Sequence, residues 1–243
     1  MEKTKLLNFI SKYTLGGIIQ SAEWKLSEGI LTDFISDDKS LIGRVSLKNT
    51  KLITDSLSLG IYNTKSLNKM ISILSSDVNI DPVISNDKPI KLKISDNNTS
   101  IEYVLADLSV ISKVPSLKKL PSTHLQFNID KEFSDSFIKA KDAIPDVDTF
   151  TILKNNKTEK FEFVIGNLGK NFDKIVLSIN PSIENESDIN SITFSSRHFK
   201  EILSSNKDCS NGILDISFEG LATISFSNND FDSKYHLIEL TNI

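Results

Sequence analysis

The chain has 243 residues, of which 39% are hydrophobic and 25% are charged, and its formal net charge at pH 7 is −4. This length accommodates one large domain or two domains of roughly 120 residues, each able to bury a core. The acidic balance excludes a protein that coats nucleic acid over its whole surface, although it allows a local basic surface. No apolar run approaches the ~20 residues of a membrane span, and the N-terminus lacks a secretory signal pattern, so we expect a cytoplasmic protein.

The first half of the sequence predicts a helix, four strands, a second helix and three further strands. Residues 2–14 predict a helix because Leu6, Phe9, Ile10 and Tyr13 recur at helical spacing. The second helix is expected over residues 64–76. Stretches rich in β-branched and apolar residues, bounded by turn residues, predict strands at 17–26, 30–35, 41–48, 52–62, 78–85, 89–95 and 100–107.

The second half follows the same order after a segment that contains Pro115 and Pro121 and has no consistent period, which is typical of a connector. We therefore predict an N-terminal domain at 1–111, a connector at 112–123 and a C-terminal domain at 124–243. In the last of these we expect a strand at 124–129, a helix at 131–144, strands at 148–154, 159–166, 172–179 and 188–194, a helix from 195, and strands at 212–218, 221–227 and 233–240.

One helical pattern occurs twice, once in each half of the sequence, with an offset of 132 residues. A hydroxyl residue followed at once by a cation opens each copy, as Thr64-Lys65 and as Ser196-Arg197. Apolar residues then fall at the same offsets in both copies. Because strands flank both copies, the sequence predicts an α+β fold of two similar domains, each with two helices packed on β-sheet.

Positive charge concentrates in the predicted helices. Together they carry a net +6, so the remainder of the chain carries −10. Lys65 and Lys69 lie at i and i+4, opposite the apolar stripe of their helix. Such a face is either simply solvated or directed at phosphate, and the uneven distribution of charge favours phosphate. The helix at 131–144 is neutral, so we expect it to contact an anionic partner less.

Catalytic patterns are absent from the sequence. His124, His198 and His236 show no metal-ligand spacing, and Cys209, the one cysteine, has no evident base nearby. The Asp37-Asp38 pair is interpreted as turn chemistry. We predict no enzyme, no cofactor and no metal; the alternative is a divalent-metal enzyme that uses Asp37 or Asp38, which tight magnesium or manganese binding in a calorimetric titration would support.

The order of elements, repeated twice, resembles the DNA sliding clamps, most closely the short trimeric type of tailed phages, whose eukaryotic counterpart is proliferating cell nuclear antigen. Three local patterns carry the resemblance together with that order. They are Leu6-Leu7-Asn8-Phe9 with Gly16-Gly17-Ile18-Ile19, the strand-to-helix junction at 59–74, and the closing hairpin with Gly220-Leu221-Ala222-Thr223-Ile224-Ser225-Phe226 and Lys234-Tyr235-His236-Leu237.

The resemblance implies a homotrimeric ring of six similar domains whose helices line a hole around duplex DNA. It would be a non-catalytic processivity factor for DNA replication, in the host cell cytoplasm if viral. Its partners would be duplex DNA without sequence preference, the DNA polymerase and the clamp loader. The residues expected to face DNA are Lys3, Lys5, Lys12, Lys65, Lys69, Lys131, Lys139, Lys141, Arg197 and Lys200.

Clients of such clamps insert a short apolar peptide beside the connector. Carried over by position, this client-peptide pocket would comprise Leu41, Ile42, Val114, Leu117, Leu120, Ile238 and Leu240. An ordinary core position is the alternative for these residues, above all for Leu41 and Ile238. A non-enzymatic β-rich virion or protein-interaction module is the alternative for the whole chain. This alternative does not explain why the helices are net positive while the remainder of the chain is net negative.

Overall fold

The computed structural model describes residues 1–50, 56–75, 77–115, 119–169, 173–185 and 191–240. Within these ranges the helices are α1 (Lys3–Thr14), α2 (Thr64–Ser72), α3 (Lys131–Ala143) and α4 (Ser196–Ser205). None of these helices has the length and apolar character that crossing a bilayer requires.

The strands are antiparallel wherever they pair. In chain order they are β1 (Ala22–Leu26), β2 (Ile30–Ile35), β3 (Leu41–Leu47), β4 (Leu57–Ile61), β5 (Asn79–Ser85), β6 (Lys88–Ser95), β7 (Ser100–Val104), β8 (Leu125–Asp130), β9 (Thr149–Asn155), β10 (Lys160–Gly166), β11 (Lys174–Ile179), β12 (Ile183–Glu184), β13 (Ile192–Ser195), β14 (Asn211–Ser217), β15 (Leu221–Ser227) and β16 (Phe231–Ile238).

The chain divides into two compact units. Unit 1 comprises Met1–Asp37, Ile42–Pro115 and Ser227–Ser233, and unit 2 comprises Asp38–Leu41, Ser116–Phe226 and Lys234–Ile243. Each unit therefore includes a short segment from the other half of the sequence. The domain boundaries expected from the sequence, at residues 111 and 124, stay predictions.

Unit 1 contains the strand order β3-β2-β1-β4 and a separate three-stranded sheet, β5-β6-β7. Helices α1 and α2 pack side by side. The core of the unit is aromatic at α1, where the Trp24 ring lies edge-on to Phe9 at 5.5 Å and its Nε1 donates to the Tyr13 hydroxyl at 3.1 Å. That hydrogen bond satisfies the indole N–H inside an otherwise apolar core.

Unit 2 contains the four-stranded sheet β11-β10-β9-β13 and the strand order β12-β8-β14-β15-β16, whose last strand begins in unit 1. Phenylalanines fill its core. Phe137 of α3 lies edge-on to Phe199 of α4 at 4.7 Å and to Phe150 of β9 at 5.2 Å. Fully buried aromatic rings with these geometries contribute beyond their buried area, so this cluster joins both helices to the sheet.

The predicted repeat is confirmed in the structure. Thr64 donates its N–H to Gln20 O and its hydroxyl to Ile19 O, and Ser196 makes the matching pair of bonds to Asp148 O and Val147 O. The N-caps, however, are Asn63 and Ser195, one residue before the hydroxyl residues that the sequence suggested. Those hydroxyls instead connect each helix to the residues just before a strand, β1 in unit 1 and β9 in unit 2.

The main error in the predicted elements lies after α1. The predicted strand at 17–26 begins only at Ala22, because Leu15–Gly17 form a 3-10 turn. Leu15, Gly16 and Gly17 have φ values of 49°, 65° and 100°, which no strand accommodates. Parts of the strands predicted at 52–62, 172–179 and 188–194, and part of the connector, lie outside the described residues.

Candidate nucleic-acid interface

Helix α2 presents the most available positive charge. Its N-terminus is fixed by Asn63, whose Oδ1 accepts from Ser66 N at 2.8 Å, and its apolar side is anchored by the buried Leu67 and Ile71. Lys65 and Lys69 consequently point to solvent and are exposed. Neither ammonium has a hydrogen bond or an ion pair with any residue in the described ranges, so both charges are available to an external anion.

The lysines of α1 are already engaged within unit 1. Lys3 Nζ donates to Leu74 O, just beyond the end of α2. Lys5 Nζ pairs with Asp230 at 2.8 Å and with Glu2 at 3.7 Å, and the hydrogen bond with Asp230 raises the pKa of Lys5. Both side chains are half-buried, and the Asp230 carboxylate offsets the charge of Lys5.

Lys12 contradicts the expectation that it faces DNA. Lys12 is fully buried, and its Nζ atom lies 5.0 Å from the centroid of the Phe231 ring. Lys12 lies three residues from Phe9 along α1, and this places it on the packed side of the helix. The ammonium lies against an aromatic ring in a cation–π geometry, and it is therefore absent from the surface.

Lys141 is the second exception, since only 6% of the residue is exposed. Its Nζ donates to Pro145 O at 2.7 Å and to Ile144 O at 3.5 Å. A lysine in the last turn of a helix commonly satisfies carbonyls that have no partner inside the helix. Lys141 therefore closes the C-terminal end of α3 and does not face an external ligand.

The remaining cations of unit 2 lie among carboxylates. Lys131, Lys139 and Arg197 are exposed, whereas Lys200 is half-buried and forms an ion pair with Asp142 that links α4 to α3. Because Lys141 is buried, the charged side chains of α3 that reach solvent carry a net negative charge. The helices of unit 1 and unit 2 thus differ in the charge that they present, and α2 is the clearest candidate surface for phosphate.

Two residues of the predicted client-peptide pocket come together in unit 2. Leu120 and Ile238, with exposed fractions of 42% and 39%, line a groove of about 640 Å³. Several further residues that line this groove were not predicted from the sequence, and two of them lie in the turn that joins β14 to β15. They are Lys119, Pro121, Ser122, Glu219, Gly220 and Leu221. The positive φ of Gly220, 96°, shapes this turn, and the glycine between two predicted strands was a signal for it.

The other predicted pocket residues are not brought to this groove. Leu41 is fully buried and Ile42 is 7% exposed, so both are core residues, as the alternative interpretation held for Leu41. Val114 and Leu240 are half-buried outside the groove. Leu117 lies outside the described residues.

The histidines are placed in three separate structural settings. His124 Nδ1 accepts from Phe218 N at 3.0 Å, His236 Nδ1 lies 3.0 Å from the Thr223 hydroxyl, and His198 Nδ1 lies 3.2 Å from Ser40 Oγ. Burial lowers the pKa of His198 and lowers that of His236 to about 4. No group of three metal-ligating side chains occurs in the part of the chain that the structure describes.

Comparison with known proteins supports the fold. Neither protein-family models nor curated proteins yield a match to this sequence. Among solved structures, the chain is similar to the proliferating cellular nuclear antigen of Entamoeba histolytica, with a TM-score of 0.73 and 17% identity. The match covers 99% of this chain and 96% of that protein. The chain therefore has the fold of proliferating cell nuclear antigen, the eukaryotic sliding clamp.

Proposed function

We propose that this protein is a sliding clamp that encircles duplex DNA and tethers the replicative DNA polymerase, without catalysing a reaction itself. The observation that carries the proposal is the extent of the structural match, which takes in both copies of the repeat and nearly all of both chains. The tailed-phage type is the source we favour, because the opening of the sequence and its strand-to-helix junction at 59–74 resemble clamps of that type.

The exposed lysines of α2 support the choice of DNA as the ligand. Contacts between lysines and phosphates carry no sequence information, and they weaken as salt rises. Lys65 and Lys69 have no competing carboxylate among the described residues, while the remainder of the chain is acidic. Weak attraction of this kind retains DNA near the helices and still permits movement along it.

The groove at Leu120 and Ile238 supports a second partner, a short apolar peptide. Its walls combine exposed aliphatic side chains with the Lys119 and Glu219 side chains at the rim. A groove of this size, with mostly aliphatic walls and few polar groups, is typical of a peptide or small-ligand site. We infer that the polymerase and the clamp loader use this groove in turn.

Unpaired strand edges support assembly with further copies. In unit 1, the segment that leads into β16 lies beside β3, where Lys48 N donates to Asp230 O at 2.8 Å. In the repeat, β11 corresponds to β3 and β7 corresponds to β16. Among the described strands β7 and β11 each end a sheet. We infer that β7 of one copy pairs with β11 of the next, which removes both edges and closes three copies into a ring.

Retention on circular DNA tests the proposal. The full chain is loaded with its cognate loader onto a nicked circle, and the DNA is then cut once with a restriction enzyme. A ring stays on the circle at elevated salt and leaves after linearisation, because only topology holds it. Equal retention on both forms would indicate ordinary DNA binding, and no retention on either form would favour the virion or interaction module.

A further inference from the structure

Unit 1 contains a polar cavity on the same side as the lysines of α2. It measures about 660 Å³ and opens between the end of α1, the 3-10 turn and the start of α2. We call it the α1–α2 pocket. Its lining includes Thr14, Gly17, Gln20, Tyr62, Lys65 and Asn68.

The α1–α2 pocket offers hydrogen-bond donors and no carboxylate. The side chains of Gln20, Lys65 and Asn68 are exposed and have no hydrogen bond or ion pair with another described residue. None of the residues that line the cavity is Asp or Glu. A cavity with one cation, two amides and no acid favours an anion of low charge.

The pocket does not depend on free backbone groups at the helix terminus. Asn63 Oδ1 already accepts from Ser66 N, and Thr64 N already donates to Gln20 O at 3.0 Å. Ser66 N and Thr64 N are therefore already used, and the pocket recognises a ligand through its side chains.

The second copy of the repeat provides an internal comparison. Thr64 and Ser196 make equivalent bonds, and these bonds place Asp148 where unit 1 has Gln20. Lys200, which corresponds to Asn68, is paired with Asp142. The same position thus holds two carboxylates in unit 2, where Arg197 and Lys200 accompany them, and no carboxylate in unit 1, so the anion-favouring cavity is a property of unit 1 and does not follow from the fold.

Tyr62 adds an apolar surface at the pocket. Its ring is stacked on Tyr103 with centroids 5.4 Å apart, and 51% of the residue is exposed. The stacked partner orients the ring before any ligand binds. Phe194, the equivalent residue in unit 2, is fully buried and offers no such surface.

From these observations we propose that the α1–α2 pocket binds a phosphodiester group of a nucleic-acid strand, with the adjoining sugar against the Tyr62 ring. The inference rests on the proposed function for the source of the strand. Lys65 supplies one positive charge, which matches the single charge of a phosphodiester better than the higher charge of free phosphate. The cavity is also several times larger than a phosphate group, so it has room for a whole nucleotide unit.

The test compares an acidic pocket variant with a matched control. Gln20→Asp with Asn68→Asp places two carboxylates in the pocket, whereas Asn86→Asp with Asn97→Asp adds the same charge at exposed turns of unit 1. The full-length proteins are titrated with a deoxythymidine dinucleotide, with inorganic phosphate and with duplex DNA. Backbone amide NMR signals of the pocket residues, which every variant retains, report the first two, and the salt dependence of affinity reports the third.

The expected result is that the dinucleotide shifts the backbone amide signals of Tyr62 and Lys65 in the wild type, and that these shifts are lost in the pocket variant and kept in the control. The slope of log affinity against log salt should fall by about one per engaged pocket in the pocket variant alone.

If duplex DNA binds but the dinucleotide leaves these signals unmoved, the pocket proposal is overturned and the clamp proposal stands. If inorganic phosphate binds as well as the dinucleotide does, assignment to a strand is wrong. If the dinucleotide binds but duplex DNA does not, the pocket stands and the proposed function fails.

Discussion

Lysines that all lie on helices occupy different environments in this molecule. Lys65 and Lys69 extend into solvent, Lys5 is paired with Asp230, and Lys12 and Lys141 are buried. Helical spacing places each lysine on a side of its own helix, but the neighbour that it meets comes from elsewhere in the fold. Only the exposed and unpaired lysines have charge to offer DNA.

Reversing the charge of α2 should weaken DNA binding without unfolding the protein. For Lys65→Glu with Lys69→Glu we expect lower affinity for duplex DNA and a smaller salt slope, because two phosphate contacts per copy are lost. Fluorescence anisotropy over a range of salt measures both quantities. The control is Lys157→Glu with Lys160→Glu, which changes two exposed lysines of unit 2. Equal effects in both variants would mean that net charge, and not the α2 surface, governs binding.

His236 should make unit 2 less stable in acid. Its pKa is about 4 in the folded chain, where burial disfavours the cation, against about 6.5 when unfolded. The group therefore contributes its full stability above pH 6.5, and this contribution is lost as the pH falls towards 4. The loss is about 3 kcal/mol at most.

Urea unfolding between pH 7.5 and 4.5 measures this effect. His236→Gln should flatten the dependence of unfolding free energy on pH, whereas His124→Gln should retain the dependence because His236 is still present. An unchanged pH dependence in His236→Gln would assign the acid sensitivity to other groups.

At the scale of elements, the phenylalanine cluster holds α3 and α4 on their sheet. Phe137 is fully buried and contacts both Phe150 and Phe199. We expect Phe137→Ala to lower the free energy of unfolding by about 3–5 kcal/mol, because it removes a large side chain and leaves a cavity. Phe133→Ala, at a half-buried position one turn earlier, should cost less. A loss under about 1.5 kcal/mol for Phe137→Ala would mean that the neighbouring rings collapse into the space.

Patterns local to one element were predictable from the sequence. The duplicated helix, its apolar side and the order of strands follow from periodicity and turn residues, and the structure confirms them except for the short strand β12, which was not predicted. The start of β1 was predicted too early, at residue 17 and not at Ala22, because the left-handed conformation of Leu15 has no sequence signature. The burial of Lys12 and Lys141 was also missed, since it depends on Phe231 and Pro145, which a helical pattern does not include. The groove residues near Gly220 lie about 100 residues from Leu120, so only the fold unites them.

At the scale of the whole molecule, the proposal of a trimer gives a direct expectation. Light scattering coupled to size-exclusion chromatography should give about three times the 27.1 kDa chain mass over a range of concentrations. A single-chain mass at every concentration would leave the edges of β7 and β11 uncovered, and a ring could then form only on DNA.

A substitution on the edge strand should shift this equilibrium. Val176 lies on β11 with 41% of its surface exposed, and Val176→Asp places a charge in the inferred contact between copies, so the trimer should dissociate at higher protein concentration than the wild type. The matched control is Ile213→Asp, since Ile213 is 42% exposed on β14, which has strands on both sides. If both variants remain trimeric, β11 is not in the interface.

The grouping of Ser227–Ser233 with unit 1 bears on how the protein is made. Unit 1 contains the pair Lys5–Asp230 and the bond from Lys48 to Asn228 O, so residues 225 and 180 positions apart in the sequence meet in the same unit. A nascent chain thus cannot complete unit 1 until residues 227–233 have left the ribosome. The N-terminal half is consequently not an autonomous product of translation, and a chain truncated before residue 227 would leave unit 1 incomplete.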